Sequence, residues 1–493
     1  MPVSEAGTSE LHGSYHADGA PSLDRALGLR DLVLFNLVAV LGLRWLATAA
    51  RAGPSALTLW LLAALFFFVP QGLVVTELSS RFPEEGGIYQ WTKRALGERH
   101  GYLCGWCYWI NNVLYYPNLL ISTAVIATYA IGKGDSALAT NWTYVLSATL
   151  VCLWFAVLLN IVGAGTGKWL QNAGGIGSYI PGVILIVLGA AFFFSGRPSA
   201  NPLTAQNVVP DLRSLDELNL WASIAFAFAG LELSSAMGGE VRNPRRTLPR
   251  AILISAPLIA AAYVLGTGAL LRLVPKDNVS IVSGFLQGID VGARAFGGLA
   301  WLAPLAAIAY TLGNIGGVGA WLTGPARVAF VIGLDRYFPP AFGRVHPRWK
   351  TPYVAIIVQA ALATVFLLLS VLGKGTTVEK AYLIILDTQL LIYFIPYVYL
   401  FIAFLLHRRT PAPADTIRVP GGAPGAWLVG LSGLFVTLFA MGVAMVPPSD
   451  TDPWLFELKV IGGALGFVVL GGMVYWRAQR RQVSSAASGQ RRD

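Results

Sequence analysis

Charge is scarce in this chain. Only 12% of its 493 residues are Asp, Glu, Lys or Arg, against about 25% in soluble domains. Hydrophobic residues make up 55% and the mean hydropathy is +0.61. One soluble core cannot hide that much apolar surface, so the bilayer must be the solvent. Cysteine is also rare, and three residues exclude a disulfide framework. Short alternating segments, the mark of a β-barrel, are missing. No catalytic constellation supports an enzyme, no cofactor is implied, and no ring of pore-lining charges supports a channel. Neither a soluble domain nor a low-complexity block extends beyond short tails. The net charge of +10 fits cytoplasmic loops of a membrane protein better than nucleic-acid binding.

What is present is a series of long apolar runs. A span needs roughly 20 apolar residues. About twelve can be placed, near 30–52, 55–79, 102–131, 143–163, 170–195, 219–240, 250–273, 298–333, 352–372, 380–406, 425–446 and 456–476. All are expected to be helices, because every backbone polar group must be satisfied within the bilayer. The predicted fold class is therefore an all-α integral membrane protein. Residues 1–28 are polar and the first apolar run is long enough to span, so no cleavable signal is expected. The even-numbered links hold Lys93, Arg94, Arg242, Arg245, Arg246, Arg348 and Lys350, and Arg480 and Arg481 follow the last span. The opposite links hold fewer cations, so both termini are expected in the cytoplasm. Residues 29–195 then form spans one to five and 219–407 spans six to ten. A Pro-bearing external link, 196–218, joins them; spans eleven and twelve (408–477) and a tail (478–493) follow.

Two spans carry the same kind of interruption: Gly42-Leu43-Arg44 in the first and Gly230-Leu231-Glu232 in the sixth. A full charge at bilayer depth costs several kcal/mol unless paired or wet. A mid-span Gly lets the helix unwind. Interrupted spans at matching places in two halves point to the midplane site of a secondary transporter. Localisation in the cell membrane and a small-molecule substrate follow as expectations, with no nucleic-acid partner.

Two cytoplasmic strings are more specific. Glu77-Leu78-Ser79-Ser80-Arg81-Phe82-Pro83-Glu84-Glu85-Gly86-Gly87-Ile88-Tyr89 ends span two. Glu240-Val241-Arg242-Asn243-Pro244-Arg245-Arg246-Thr247-Leu248-Pro249-Arg250 follows span six. Taken alone, each is a turn: Pro83 stops a helix, Gly86 and Gly87 permit a reversal, and Pro249 can begin the next helix. Together, with Gly324-Pro325-Ala326-Arg327 in span eight, they resemble the amino acid–polyamine–organocation superfamily of permeases over residues 28–477. The resemblance implies a core of two five-helix inverted repeats of the leucine-transporter type, with helices one and six broken at the substrate. It implies transport of an amino acid or related amine by alternating access. Uptake with protons is one form, obligate exchange a second, and polyamine or organic-cation transport a third.

Many members of that family have a Gly-Ser-Gly type string in helix one whose amides hold the substrate carboxylate. Here the string is Val40-Leu41-Gly42-Leu43-Arg44, with one Gly and a guanidinium. It is more similar to the glutamate/GABA exchanger branch, which also carries Arg in this region. Three roles stay open for Arg44: a fork for a substrate carboxylate, a buried partner of Glu232, or a position in a wet vestibule. Glu232 is the first candidate proton carrier, because a carboxyl beside a dry site can take up and release a proton near neutral pH. Asp387 is the second. A sodium ion is not excluded. Leu41, Gly42, Leu43, Arg44, Gly230 and Leu231 are the expected substrate contacts, with Phe228 closing over them. Asn111, Tyr115 and Asn314 are further pocket candidates, weighed against simple helix–helix hydrogen bonding. Spans eleven and twelve either form a homodimer contact or face lipid.

Three motifs are better read as packing. Cys104-Gly105-Trp106-Cys107 lacks the βαβ context of a redox pair. Gly163–Lys168 lacks the first Gly and the Ser/Thr of a phosphate loop. Gly313, Gly316, Gly317 and Ala320 suit close helix contact.

Overall fold

A computed structural model describes residues 25–132, 137–211, 213–371, 378–446 and 453–489. The N-terminal tail assigned to 1–28 lies outside them except for its last residues. Among the described residues the chain is helical throughout, and its β-pairing is limited to two isolated bridges, Leu27 with Val241 and Glu85 with Met237.

The first apolar run forms two helices, α1 (Leu29–Val40) and α2 (Arg44–Ala50), bent by 41° across the Leu41–Leu43 break. Helix α3 (Ser55–Arg81) follows; it contains a π-helical turn at Ala64–Phe68 just before Pro70, a residue with no N–H to give that turn. Next come α4 (Ile88–Leu96), α5 (Glu98–Ala130), α6 (Trp142–Ile161) and α7 (Ala164–Phe194). The sixth run is α-helical only as α8 (Leu215–Ala227), then turns through two short 3-10 pieces, Leu233–Ala236 and Gly238–Glu240. Helices α9 (Pro244–Leu273), α10 (Gly284–Phe296), α11 (Leu302–Leu334), α12 (Tyr353–Val371), α13 (Val378–His407), α14 (Gly422–Ala444) and α15 (Pro453–Gly489) complete the chain.

Nine helices among the described residues are long and apolar enough to cross a membrane, or ten when α1 and α2 count as one bent span. The shortfall from about twelve has two causes. The 215–240 run is broken, and the apolar helix Tyr353–Leu368 is short. Two helices of more than one turn were not expected from the sequence. Helix α4 lies where a plain loop was foreseen, and α10 occupies the link before α11.

Helix α11 sits at the centre, packed on α5 and α7. Small residues set the approach: a Cβ on Gly316 would stand 2.5 Å from Cα of Gly174, and one on Gly177 would stand 2.5 Å from the carbonyl of Ala309. Cys104 and Cys107 are buried free thiols inside α5, which agrees with packing. Helix α15 is largely exposed, with Trp454, Leu465, Val469 and Trp476 outward, an apolar surface that suits either lipid or a homodimer contact.

Candidate substrate site between two broken helices

A helix that stops inside a bilayer leaves backbone groups that need partners. Three side chains meet that need at the first break. The hydroxyl of Tyr263, on α9, donates to the carbonyl of Val40 at 2.6 Å and accepts the amide of Gly42 at 3.1 Å. It also lies 3.2 Å from the carbonyl of Ala227, the last residue of α8, so one hydroxyl touches both breaks. Trp321 Nε1 donates to the Ala39 carbonyl at 2.9 Å, and the Arg44 amide reaches the Tyr310 hydroxyl at 3.4 Å.

The second break turns at Gly230, whose φ of +128° is open chiefly to glycine. Its amide donates to the Tyr397 hydroxyl at 2.7 Å. Two residues on, Glu232 is 1% exposed and accepts four hydrogen bonds. Tyr108 (3.0 Å) and Tyr393 (2.8 Å) reach Oε1; Tyr397 (2.5 Å) and Gln71 Nε2 (3.1 Å) reach Oε2. Among the described residues these are its hydrogen-bond partners. Arg44 is not one of them, and the open alternative of a buried Arg44–Glu232 pair does not match this geometry. A carboxylate has about four lone-pair sites and four donors fill them, so its charge is met by neutral dipoles.

Between the breaks lies a cavity. Its wall includes a circuit of five rings closed by one cation. Trp45 meets Phe226 (centroids 5.6 Å apart), Phe226 meets Tyr393 (5.6 Å), Tyr393 meets Trp321 (5.8 Å) and Trp321 meets Tyr115 (4.8 Å). The Arg44 guanidinium completes the circuit, 5.6 Å from the Tyr115 centroid and 4.9 Å from that of Trp45. Cation–π contacts of this kind gain strength when dry. The cavity is tight, about 20 Å³ as traced by the centre of a water-sized sphere, room for roughly one or two waters.

The expected residues divide into those on the wall and those behind it. Leu41, Gly42, Arg44, Asn111, Tyr115 and Asn314 line the cavity. The Asn111 amide is buried, and neither its oxygen nor its nitrogen has a hydrogen-bond partner among the described residues. Asn314 donates to Thr123 at 2.8 Å. Leu43 turns away toward Gly182 of α7. Gly230, Leu231 and Glu232 sit outside the wall, with Tyr393 reaching from the wall to Glu232. Phe228 also lies outside. It stacks on Phe68 (4.4 Å) and meets Trp60 and Tyr263 edge-on, and Phe226 takes the wall position instead. Residues two apart on a helix are about 200° apart around its axis, so only one of the two can face the cavity. Asp387 is on α13, and its side chain lies outside those described.

Trp45, Trp321, Tyr393 and Gln389 line the cavity and were not foreseen. Trp321 and Tyr393 left a faint sign: aromatics with a polar edge, in apolar spans, need a hydrogen-bond partner. Among the described residues no cluster of three His, Cys, Asp or Glu could hold a metal ion.

A helical bundle with two broken helices around a polar-aromatic cavity, built from apolar helices long enough to span a bilayer, defines a multi-pass membrane permease. The family model for amino acid permeases matches residues 27–463, and the chain belongs to that family. It is 33% identical to an uncharacterised transporter of Legionella pneumophila, over 90% of this chain and 96% of the relative. It is 26% identical to a glutamate/gamma-aminobutyrate antiporter of Lactococcus lactis, over 79% of this chain and 78% of the relative. It is 27% identical to a serine/threonine exchanger of Bacillus subtilis, over 87% of this chain and 91% of the relative.

Proposed function

We propose that this permease exchanges α-amino acids across the cell membrane by alternating access, with the substrate carboxylate at Arg44. The observation that carries the reading is the cavity wall: a guanidinium held between Trp45 and Tyr115, on the same wall as the Asn111 amide, which has no hydrogen-bond partner among the described residues. A guanidinium suits a carboxylate as a planar fork, and a buried amide without a partner gains by meeting a polar ligand group. The antiporter and exchanger named among the relatives support exchange.

The proposed topology has twelve spans with both termini cytoplasmic. Residues 29–195 and 219–407 are two inverted five-span repeats, and the two breaks occupy equivalent places in them. In the proposed cycle the ring circuit parts to admit substrate. Closure repacks Trp45, Phe226, Tyr393 and Trp321 around it and excludes water. The broken helices then swing so that the opposite side opens.

Glu232 supports a second reading, uptake coupled to protons. It is buried directly behind Tyr393. A proton arriving there would take one of the four filled lone-pair sites, so at least one of the four donors would have to turn away. Letting go of Tyr393 would loosen the wall, which would couple a proton to opening.

Reconstituted proteoliposomes separate the readings. Uptake of labelled amino acids is measured with the lumen empty, with the lumen preloaded, and with an inward proton gradient. Exchange predicts uptake only into preloaded vesicles. Gradient-driven accumulation into empty vesicles would favour the proton-coupled reading, and uptake confined to polyamines would refute the role given to Arg44.

A further inference from the structure

One end of the bundle holds a cluster that the transport cycle above does not use. The link after α3 presses against the 3-10 piece Gly238–Glu240. Gly86 donates its amide to the Ala236 carbonyl at 3.0 Å, and Gly239 donates to Glu85 Oε2 at 2.8 Å. The fit is close: a Cβ on Gly238 would stand 2.0 Å from the Pro83 carbonyl oxygen. Arg327 of α11 enters the same contact. Its Nη2 lies 2.7 Å from Glu240 Oε1, and its Nε lies 4.0 Å from Glu85 Oε1. Arg327 and Glu240 side chains are 2% exposed and Glu85 is 15% exposed.

Two carboxylates share one guanidinium here, and Arg327 is the cation that acts on Glu85. Glu85 Oε1 and Glu240 Oε2 are both buried and lack hydrogen-bond partners among the described residues. Glu240 and Arg327 also line a small cavity with Asn160, Gln171 and Thr323, with room for about one water. With both carboxylates ionised, the buried cluster carries one uncompensated negative charge, which the surroundings do not repay.

We infer that this cluster is a proton-binding site, in which Glu85 holds one proton beside Glu240 and Arg327 while this end of the permease is closed. Like charges held this near cannot both ionise readily. Burial and the charge of Glu240 lift Glu85 to about 8, and Arg327 and the Gly239 amide hold it lower than it would otherwise go. Opening this end separates the link from the 3-10 piece and lets both carboxylates reach water. The proton is then lost, so low pH favours the closed end and high pH favours the open one. The sign follows from binding: the closed state holds the extra proton, so its stability relative to the open state falls as pH rises toward about 8.

The inference rests on the reading of the chain as an alternating-access transporter, but its test does not need transport. Hydrogen–deuterium exchange is measured on the purified full-length protein in nanodiscs, at about pH 6 and about pH 9, corrected for the intrinsic pH dependence of exchange. The peptides covering Gly86 and Gly239 report on closure, and the α11 core serves as a control. Protection of those two amides should fall by roughly tenfold or more at the higher pH, the scale of one pH unit or more of linked proton release. In Glu85→Gln the protection should stay high at both values. Glu240→Gln serves as a second variant if the first does not fold, and should also flatten the pH response. Protection that is equal at both pH values in the unmodified protein would overturn the inference, as would a full pH response in both variants. Failure of amino-acid uptake alone would instead count against the transport reading.

Discussion

The hydroxyl of Tyr397 lies 2.5 Å from Glu232 Oε2 and accepts the amide of Gly230 at 2.7 Å. A single group of α13 thus satisfies both the charge and the backbone of the second break. Tyr397→Phe removes the donor and orphans a buried amide. The expected loss is about 1–3 kcal/mol, read as a lower midpoint in a thermal-shift assay in detergent. Tyr108→Phe removes one donor to the same carboxylate without touching the backbone, so its loss should be smaller. Equal losses would show that the Gly230 contact contributes nothing.

Gly230 itself gives a sharper test. A Cβ there would stand 3.1 Å from Val40 Cγ2 and 3.3 Å from Trp321, on a backbone at φ +128°. Gly230→Ala should therefore cost stability by about 1–3 kcal/mol and lower the transport rate, since Val40 and Trp321 both line the cavity. Gly42→Ala should be milder, because φ at Gly42 is not positive, so that only the crowding against the Trp45 indole at 3.0 Å remains. Comparable loss in both would mean that crowding, not backbone conformation, sets the cost.

The breaks were legible in the sequence because glycine beside charge inside an apolar run has few physical explanations. The helical architecture was legible for a similar reason, since apolar length admits little else in a bilayer. What answers the breaks was not legible. Tyr263 is 221 residues from Gly42 and Tyr397 is 165 residues from Glu232, and no spacing rule joins positions so far apart. The choice of Phe228 over Phe226 could not be made from composition either. Both flank the break, and helix rotation alone decides which one faces the cavity. Helix α4 was missed because it is short and polar on one face, so it reads as loop in a search for spans.

Those two phenylalanines should separate in function. Phe226→Leu removes a ring from the cavity circuit and should raise KM by roughly fivefold, the scale of a lost aromatic contact of about 1 kcal/mol. Phe228→Leu leaves the wall intact and disturbs packing on Phe68, Trp60 and Tyr263. It should lower thermal stability with little change in KM. The measurement is concentration-dependent uptake beside a melting curve for each variant. Equal KM effects would remove the distinction between wall and packing.

Arg44 carries the substrate proposal and so the most exposed prediction. Its guanidinium lies against two rings and on the cavity wall. A planar cation stacks and forks; an ammonium does neither in the same way. Arg44→Lys keeps the charge but should still reduce uptake by roughly tenfold or more, the cost of about 1.4 kcal/mol in recognition. Arg44→Gln should abolish uptake of carboxylate-bearing substrates, because the cavity then offers no cation among its described residues. Binding of a decarboxylated amine of the same side chain tests the role directly. If Arg44 holds the carboxylate, the amine should bind no more weakly to Arg44→Gln than to the unmodified protein. If the amino acid and its amine lose affinity in parallel, Arg44 supports the site's structure rather than reading the carboxylate.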